Sequence, residues 1–406
     1  MRRAAAVTRR MASAVGTREA STAAAPAEAA AASSSAPRPA GSSWRRALRW
    51  MPTSTDHIVA SEKRLLSTLK TGYVQEQINI GPAPPTPGLK PRTSRDEPRF
   101  INTVTFDSKE DAPTLVLVHG FGASQGLFFR NFDALAKRFR VIAIDQLGWG
   151  GSSRPKFTCK NTEETEAWFV DSFEEWRKAK NLSNFILLGH SFGGYVVARY
   201  ALKHPEHVQH LILVGPVGFS PEADPTAESL TKFRAKLAHH LWEYNFTAQK
   251  VVRGLGPCGP ALVRAYTTAR FGSFPTGESL TKQESSYLTD YIYHTIVAKA
   301  SGELCQKYLF YMGPFTRKSL LQSAPDWKVP TTFIYGQDDW VDYQLAQQAC
   351  KDMKIPYEII RVPQAGHFAF MDNPSAFESA VFYASRDFLS RDSEEALSLP
   401  DGLTFA

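Results

Sequence analysis

Ser191 stands in Gly189-His190-Ser191-Phe192-Gly193, with Gly194 following, between the apolar run Phe185 to Leu188 and a stretch of helical period. Small residues on both flanks let the chain turn tightly from strand to helix. Such a turn projects the serine hydroxyl and aims the next N–H at a reacting carbonyl. A serine hydroxyl is a poor nucleophile near neutral pH, so acyl chemistry there needs a base and a group that orients the base. Both stand downstream at strand ends. Thr331 to Tyr335 runs into Gly336-Gln337-Asp338-Asp339-Trp340-Val341-Asp342, and Tyr357 to Val362 leads to Gly366-His367. His367 is the expected proton acceptor and Asp339 the acid that sets its tautomer, with Asp338 and Asp342 as alternatives. Of ten histidines, the other nine read as surface or packing residues.

A third element follows the apolar run Thr114 to Val118. In His119-Gly120-Phe121-Gly122 the glycines let the backbone approach a substrate, so the N–H groups of Phe121 and Phe192 are the expected oxyanion hole. One such donor is worth about 3 kcal/mol of barrier. The other reading is an ordinary glycine turn. Asp145 to Ser152, rich in glycine, reads as a pocket-shaping loop with no chemical role of its own.

These side chains need a scaffold that brings strand ends together. From residue 100 onward, short β-rich runs (Thr114 to Val118, Arg140 to Ile144, Phe185 to Leu188, His210 to Val214, Thr331 to Tyr335, Tyr357 to Val362) alternate with helical patterns such as Thr162 to Lys180 and Gly194 to His204. That alternation predicts an α/β fold, a mostly parallel sheet covered on both faces, with ligands at the carboxyl ends of its strands. The rhythm breaks from about Pro216 to Pro330. There only helix-like segments, Ser229 to Tyr244 and Lys282 to Ala298, lie between Gly/Pro stretches. The expected organisation is a tail over 1–43, a Trp/Arg segment and linker over 44–70, and a core over 71–215. A helical cap over 216–330, inserted after the sixth strand, a second core part over 331–392 and a C-terminal tail over 393–406 complete it.

Charge is uneven. The chain of 406 residues has a formal charge of +7, yet residues 1–50 hold nine Arg, no Lys and only Glu19 and Glu28, so the remainder balances. This argues against nucleic acid as a partner. Sixteen of the first forty residues are Ala, and with Ser, Pro and scattered Arg they read either as a disordered extension or as an organellar transit peptide. Trp44 and Trp50 among Arg45, Arg46 and Arg49 suit a membrane or lipid-droplet surface, or packing onto the body. No apolar run approaches the ~20 residues of a membrane span. Cys159, Cys258, Cys305 and Cys350 form no Cys-x-x-Cys pair and have no zinc-like His spacing, so no metal, no cofactor and a reducing, cytoplasmic setting are expected.

Within the cap, residues 231–270 carry Lys232, Arg234, Lys236, Lys250, Arg253, Arg264 and Arg270 against Glu243 alone. Lys250, Arg253 and Arg264 are candidates for a substrate phosphate or a phospholipid surface. The alternative is a solvated helix face.

The chain resembles the α/β-hydrolases of lipid metabolism that include the lipid-droplet lipase coactivator lost in Chanarin-Dorfman syndrome, N-acyl-phospholipid hydrolases and plant lysophosphatidic acid acyltransferases. The resemblance runs from about Trp44 to Phe388. It rests on Trp50-Met51-Pro52-Thr53-Ser54-Thr55, His119 to Gly122, His210 to Pro216, Gly256-Pro257-Cys258-Gly259, Asp290 to His294 and Gly366-His367. The animal coactivator carries Asn where Ser191 stands, so the resemblance implies an active, plant-type member. It also implies acyl transfer from acyl-CoA to lysophosphatidate through a His-x-x-x-x-Asp motif, matched by His367 and Asp372. Asp372 in addition suits the N-cap of a following helix. Expected substrates are lysophosphatidate, acyl-CoA, phospholipid or triacylglycerol, with acyl-CoA as co-substrate, at a membrane or droplet surface. The rival is a non-catalytic lipid or acyl-CoA binder that recruits a lipase to droplets.

Overall fold

The computed structural model describes residues 53–82, 99–107, 111–220, 240–311, 313, 315–389 and 399–406. Among these residues nine strands form one sheet: β1 (Val74–Asn79), β2 (Phe100–Phe106), β3 (Thr114–Val118), β4 (Arg140–Ile144), β5 (Phe185–His190), β6 (Val208–Val214), β7 (Thr331–Gly336), β8 (Tyr357–Val362) and β9 (Thr404–Phe405). Their order is β1-β2-β4-β3-β5-β6-β7-β8-β9. β3 to β8 pair in parallel, while β1, β2 and β9 add antiparallel edges.

The central strands are apolar at successive positions because both sheet faces are covered. Alternate residues go to separate cores: Leu115, Leu117, Ile186 and Leu188 to one, Val116, Val118, Phe185 and Leu187 to the other. Helix α1 (Thr55–Leu66), α2 (Phe129–Leu135) and the C-terminal helix Pro374–Ala384 cover the first face, and α3 (Thr162–Ala179) and α4 (Phe192–Lys203) the second.

Between β6 and β7 the described residues form helices, turns and one isolated bridge, Phe310 to Thr316. The mostly parallel sheet with a helical insertion after its sixth strand is therefore the architecture. Among the described residues the cap includes the helices α5 (Ala248–Gly254), α6 (Gly259–Phe271) and α7 (Lys282–Val297). Thr281 and Glu284 form a capping box at the start of α7. Most of Ser229 to Tyr244, Trp44, Trp50 and the tail lie outside the described residues.

Two expectations need correction. Much of the stretch read as linker is helix α1, whose Ile58, Leu65 and Leu66 are buried. The N-cap Ser54 side chain accepts the N–H of His57, and Thr53 bonds His294 of α7. The end of the C-terminal stretch is no free tail either, since Thr404 and Phe405 pair with Arg361 and Ile360.

Candidate active site

Ser191 joins β5 to α4 with φ 54° and ψ −116°, a left-handed backbone that costs a non-glycine residue of order 1–3 kcal/mol. The cost is tolerated because neighbours lock the turn. A Cβ on Gly193 would lie 2.4 Å from the carbonyl oxygen of His119 and 2.6 Å from that of Val118. Glycine at 193 thus lets the elbow sit directly against the end of β3.

The side chains expected to act together do meet. His367 Nε2 lies 2.9 Å from Ser191 Oγ, and His367 Nδ1 lies 2.9 Å from Asp339 Oδ1. Asp339 also accepts the N–H of Val341 at 2.9 Å, which fixes its carboxylate at the end of β7. Asp338 and Asp342 make no such contact; the Asp342 side chain instead caps the helix Tyr343–Cys350. Gly215, with φ +47°, clears space for the pair, since a Cβ there would stand 2.6 Å from Asp339 Oδ2.

Ser191 is 9% exposed and opens into a cavity of roughly 400 Å³ bordered by Phe121, Phe192, Trp242, Phe310, Trp340 and Phe368. This size and apolar lining suit a ligand with a hydrocarbon part. Trp340, 49% exposed, packs over the His367 ring with centroids 4.5 Å apart. The N–H of Phe192 stands at the first helical position of α4, where no acceptor exists within the helix. Phe121 enters the cavity from the loop after β3, and its ring meets that of Phe192 edge to face, centroids 6.2 Å apart.

Two further histidines hold this frame. Burial first, and then the proximity of the His367 ring, keep His190 well below its usual pKa, so its neutral ring donates Nε2–H to the His367 carbonyl at 2.9 Å. Burial likewise lowers His119. Its Nε2 accepts the N–H of Gln146 at 3.1 Å, and Gln146 Nε2 donates to the His119 carbonyl at 2.8 Å. Asp145 accepts from the N–H groups of Gln125 and Gly151, both at 2.8 Å. The glycine-rich loop after β4 therefore anchors the loop at His119. Nothing in the local sequence marks these histidines for this part, because their partners are brought together only by the sheet order.

The cap cations fall elsewhere. Arg253 forms an ion pair with buried Glu303 and donates to the carbonyls of Ile296 and Ala298, which corrects the expectation that it meets a phosphate. Lys250 sits over the Phe246 ring at 5.5 Å, and Arg264 is exposed; neither borders the cavity. Lys232, Arg234 and Lys236 lie outside the described residues. Asp372 does not cap the helix Pro374–Ala384; the Asn373 side chain does so by accepting the N–H of Ala376. Asp372 does not touch the His367 ring either, whose two nitrogens are engaged by Ser191 and Asp339.

A serine, a histidine and an aspartate presented by the ends of β5, β8 and β7 define a serine-hydrolase type of site. The family described as "alpha/beta hydrolase fold" matches residues 113–374, and the chain belongs to it. A rice protein named "Probable 1-acylglycerol-3-phosphate O-acyltransferase" is 74% identical over 371 residues, 90% of each chain. An Arabidopsis thaliana protein named "1-acylglycerol-3-phosphate O-acyltransferase" is 69% identical over 365 residues, 89% of this chain and 87% of that one. The human "(Lyso)-N-acylphosphatidylethanolamine lipase" is 32% identical over 340 residues, 81% of this chain and 91% of its own.

Proposed function

We propose that this protein is a serine acyl-ester enzyme of glycerolipids that moves acyl groups to lysophosphatidate, making phosphatidate, and to water. The observation that carries this reading is the continuous relay Asp339–His367–Ser191, 2.9 Å at each step, opening into an apolar cavity. The names of the plant relatives support the acceptor, and that of the human relative supports phospholipid hydrolysis.

In this reading Ser191 Oγ attacks the acyl carbonyl while His367 Nε2 takes its proton. The N–H groups of Phe121 and Phe192 receive the developing oxyanion. As the carbonyl reforms, the bond to the leaving group breaks and His367 protonates that group, a CoA thiolate or a glycerol alkoxide. The acyl-Ser191 ester is then attacked by the hydroxyl of lysophosphatidate or by water, which gives its proton to His367, and Ser191 regains a proton as the product leaves. The acceptor that prevails depends on how far the cap excludes water.

The lipid substrates reside in aggregates, so the enzyme works at a membrane or droplet surface. Among the described residues no helix is long and apolar enough to cross a membrane. The cap presents exposed Leu241, Tyr244, Phe246, Val251, Leu255 and Leu262 beside Lys250 and Arg264. Apolar side chains interspersed with cations suit the boundary of an anionic phospholipid layer.

Purified protein and Ser191→Ala, compared on triacylglycerol, phospholipid, and lysophosphatidate with acyl-CoA, test the reading. Loss of every activity in the variant is expected. Retained acyl transfer would remove Ser191 from that reaction, and inactivity of both proteins would refute the enzyme reading.

A further inference from the structure

Asp372 lies five residues beyond His367 and is only 2% exposed. Its Oδ2 accepts the peptide N–H of Gly366, the residue just before the histidine, at 3.0 Å. Both carboxylate oxygens also accept from Arg270, Nη1 at 3.0 Å and Nη2 at 3.3 Å. Arg270 stands in the last turn of cap helix α6, and its guanidinium lies 4.8 Å from the ring centroid of Phe368. Phe368 directly follows His367 and borders the cavity. One cap side chain therefore grips the residue before the histidine, through Asp372, and the residue after it, through the ring.

We propose that Arg270 is a positioning residue which, with Asp372, holds the Gly366 to Phe368 turn so that His367 stays within reach of Ser191. The aspartate of the His-x-x-x-x-Asp spacing then serves hydrolysis and acyl transfer alike. The planar guanidinium suits this role, because its fork matches a carboxylate while its face stacks on an aromatic ring. Removing Arg270 leaves the buried Asp372 carboxylate without its ion-pair partner, and a catalytic group displaced by about 1 Å loses on the order of a hundredfold in rate. The inference rests on the serine-enzyme reading above.

The test uses the full chain as wild type, Arg270→Lys, Arg270→Gln, Asp372→Asn and the Arg270→Gln/Asp372→Asn pair. Three rates are read: labelling of Ser191 by a fluorophosphonate probe, hydrolysis of a soluble short-chain p-nitrophenyl ester, and acyl transfer from acyl-CoA to lysophosphatidate. Arg270→Gln is expected to lower labelling and both kcat values by about tenfold to a hundredfold, with KM within about twofold, the pattern of lost alignment and not of lost binding. Arg270→Lys, keeping the charge but not the fork, should fall between. Asp372→Asn should slow hydrolysis and transfer by the same factor, and the double variant should be less impaired than the product of the single losses. Labelling of Arg270→Gln at the wild-type rate would overturn the proposal, as would an Asp372→Asn protein that loses transfer while keeping hydrolysis. If Arg270→Gln does not fold, Arg270→Lys decides by the same criteria. Failure of the wild type to be labelled at Ser191 would instead overturn the serine-enzyme reading on which the proposal stands.

Discussion

At the scale of single residues, the site depends on a few atoms that have no room to move. Gly193 is one: a methyl group there would press on the carbonyl oxygens of His119 and Val118, which are backbone atoms and cannot swing aside. Gly193→Ala should shift the elbow and lower ester hydrolysis on the order of a hundredfold or more, as kcat measured on a soluble ester would reveal. Asp339 is another, since its 2.9 Å bond to His367 Nδ1 selects the tautomer that leaves Nε2 free to accept the serine proton. In Asp339→Asn the amide is expected to leave His367 in place with the wrong tautomer and to reduce kcat on the order of 10⁴-fold, with folding checked by circular dichroism. Ser191, His367 and Asp339 were legible in the sequence because each follows a strand-like run in the order such a site requires. The bond from Asp372 to Gly366 N–H was not. Its partner Arg270 lies 102 positions away, and nothing in either local stretch announces the other.

At the scale of elements, the strand-like runs Thr114 to Val118, Arg140 to Ile144 and Tyr357 to Val362 coincide with β3, β4 and β8. Burial on both faces makes β3 and β4 apolar beyond their first residue, a strong signal, whereas β8 carries Glu358 and Arg361 between its apolar positions. The edge strands lack it. β1 reads Val-Gln-Glu-Gln-Ile-Asn and is largely solvent-facing, and β9 has only two residues. Helix α1 is faint in the sequence because its buried apolar side chains are only Ile58, Leu65 and Leu66 among charged residues, a stripe that becomes meaningful once α7 packs against it. Helix α7 itself is announced by the capping box of Thr281 and Glu284. Thr281→Ala should cost about 1 kcal/mol of stability, visible as a lower denaturant midpoint, with kcat on a soluble ester unchanged because the cap end of α7 lies away from the cavity lining.

At the scale of the whole molecule, Glu62 joins parts that are remote in sequence. Wholly buried on α1, it accepts from Asn102 Nδ2 of β2 at 2.8 Å and from the Tyr291 hydroxyl of cap helix α7 at 2.9 Å. Burial first, and then the field of Asp145, push its carboxyl up to about 8, so the folded protein holds a proton there at neutral pH. The unfolded chain releases that proton near the ordinary carboxylate range. The folded state therefore binds more protons between roughly pH 4.5 and 8, and this contribution to stability is full below that window and declines as pH rises through it, by at most about 1.4 kcal/mol per pH unit. Glu62→Gln, which keeps the shape and has no proton to lose, should flatten the decline. Urea unfolding of both proteins from pH 5 to 8.5 measures the difference, and parallel curves would refute it.

Local chemistry and periodicity along the chain encode a nucleophile elbow, an acid and a base at strand ends, a covered parallel sheet and a helical insertion. These are legible because φ/ψ demands, strand burial and helix period act over a few neighbouring residues. Which charged groups face which follows from the packing of the fold. It gave Arg253 to Glu303, Arg270 to Asp372, and His190 to the carbonyl of His367. Pairings of that kind depend on which strands become neighbours and where the cap comes down, and no property of the individual residues carries that information along the chain.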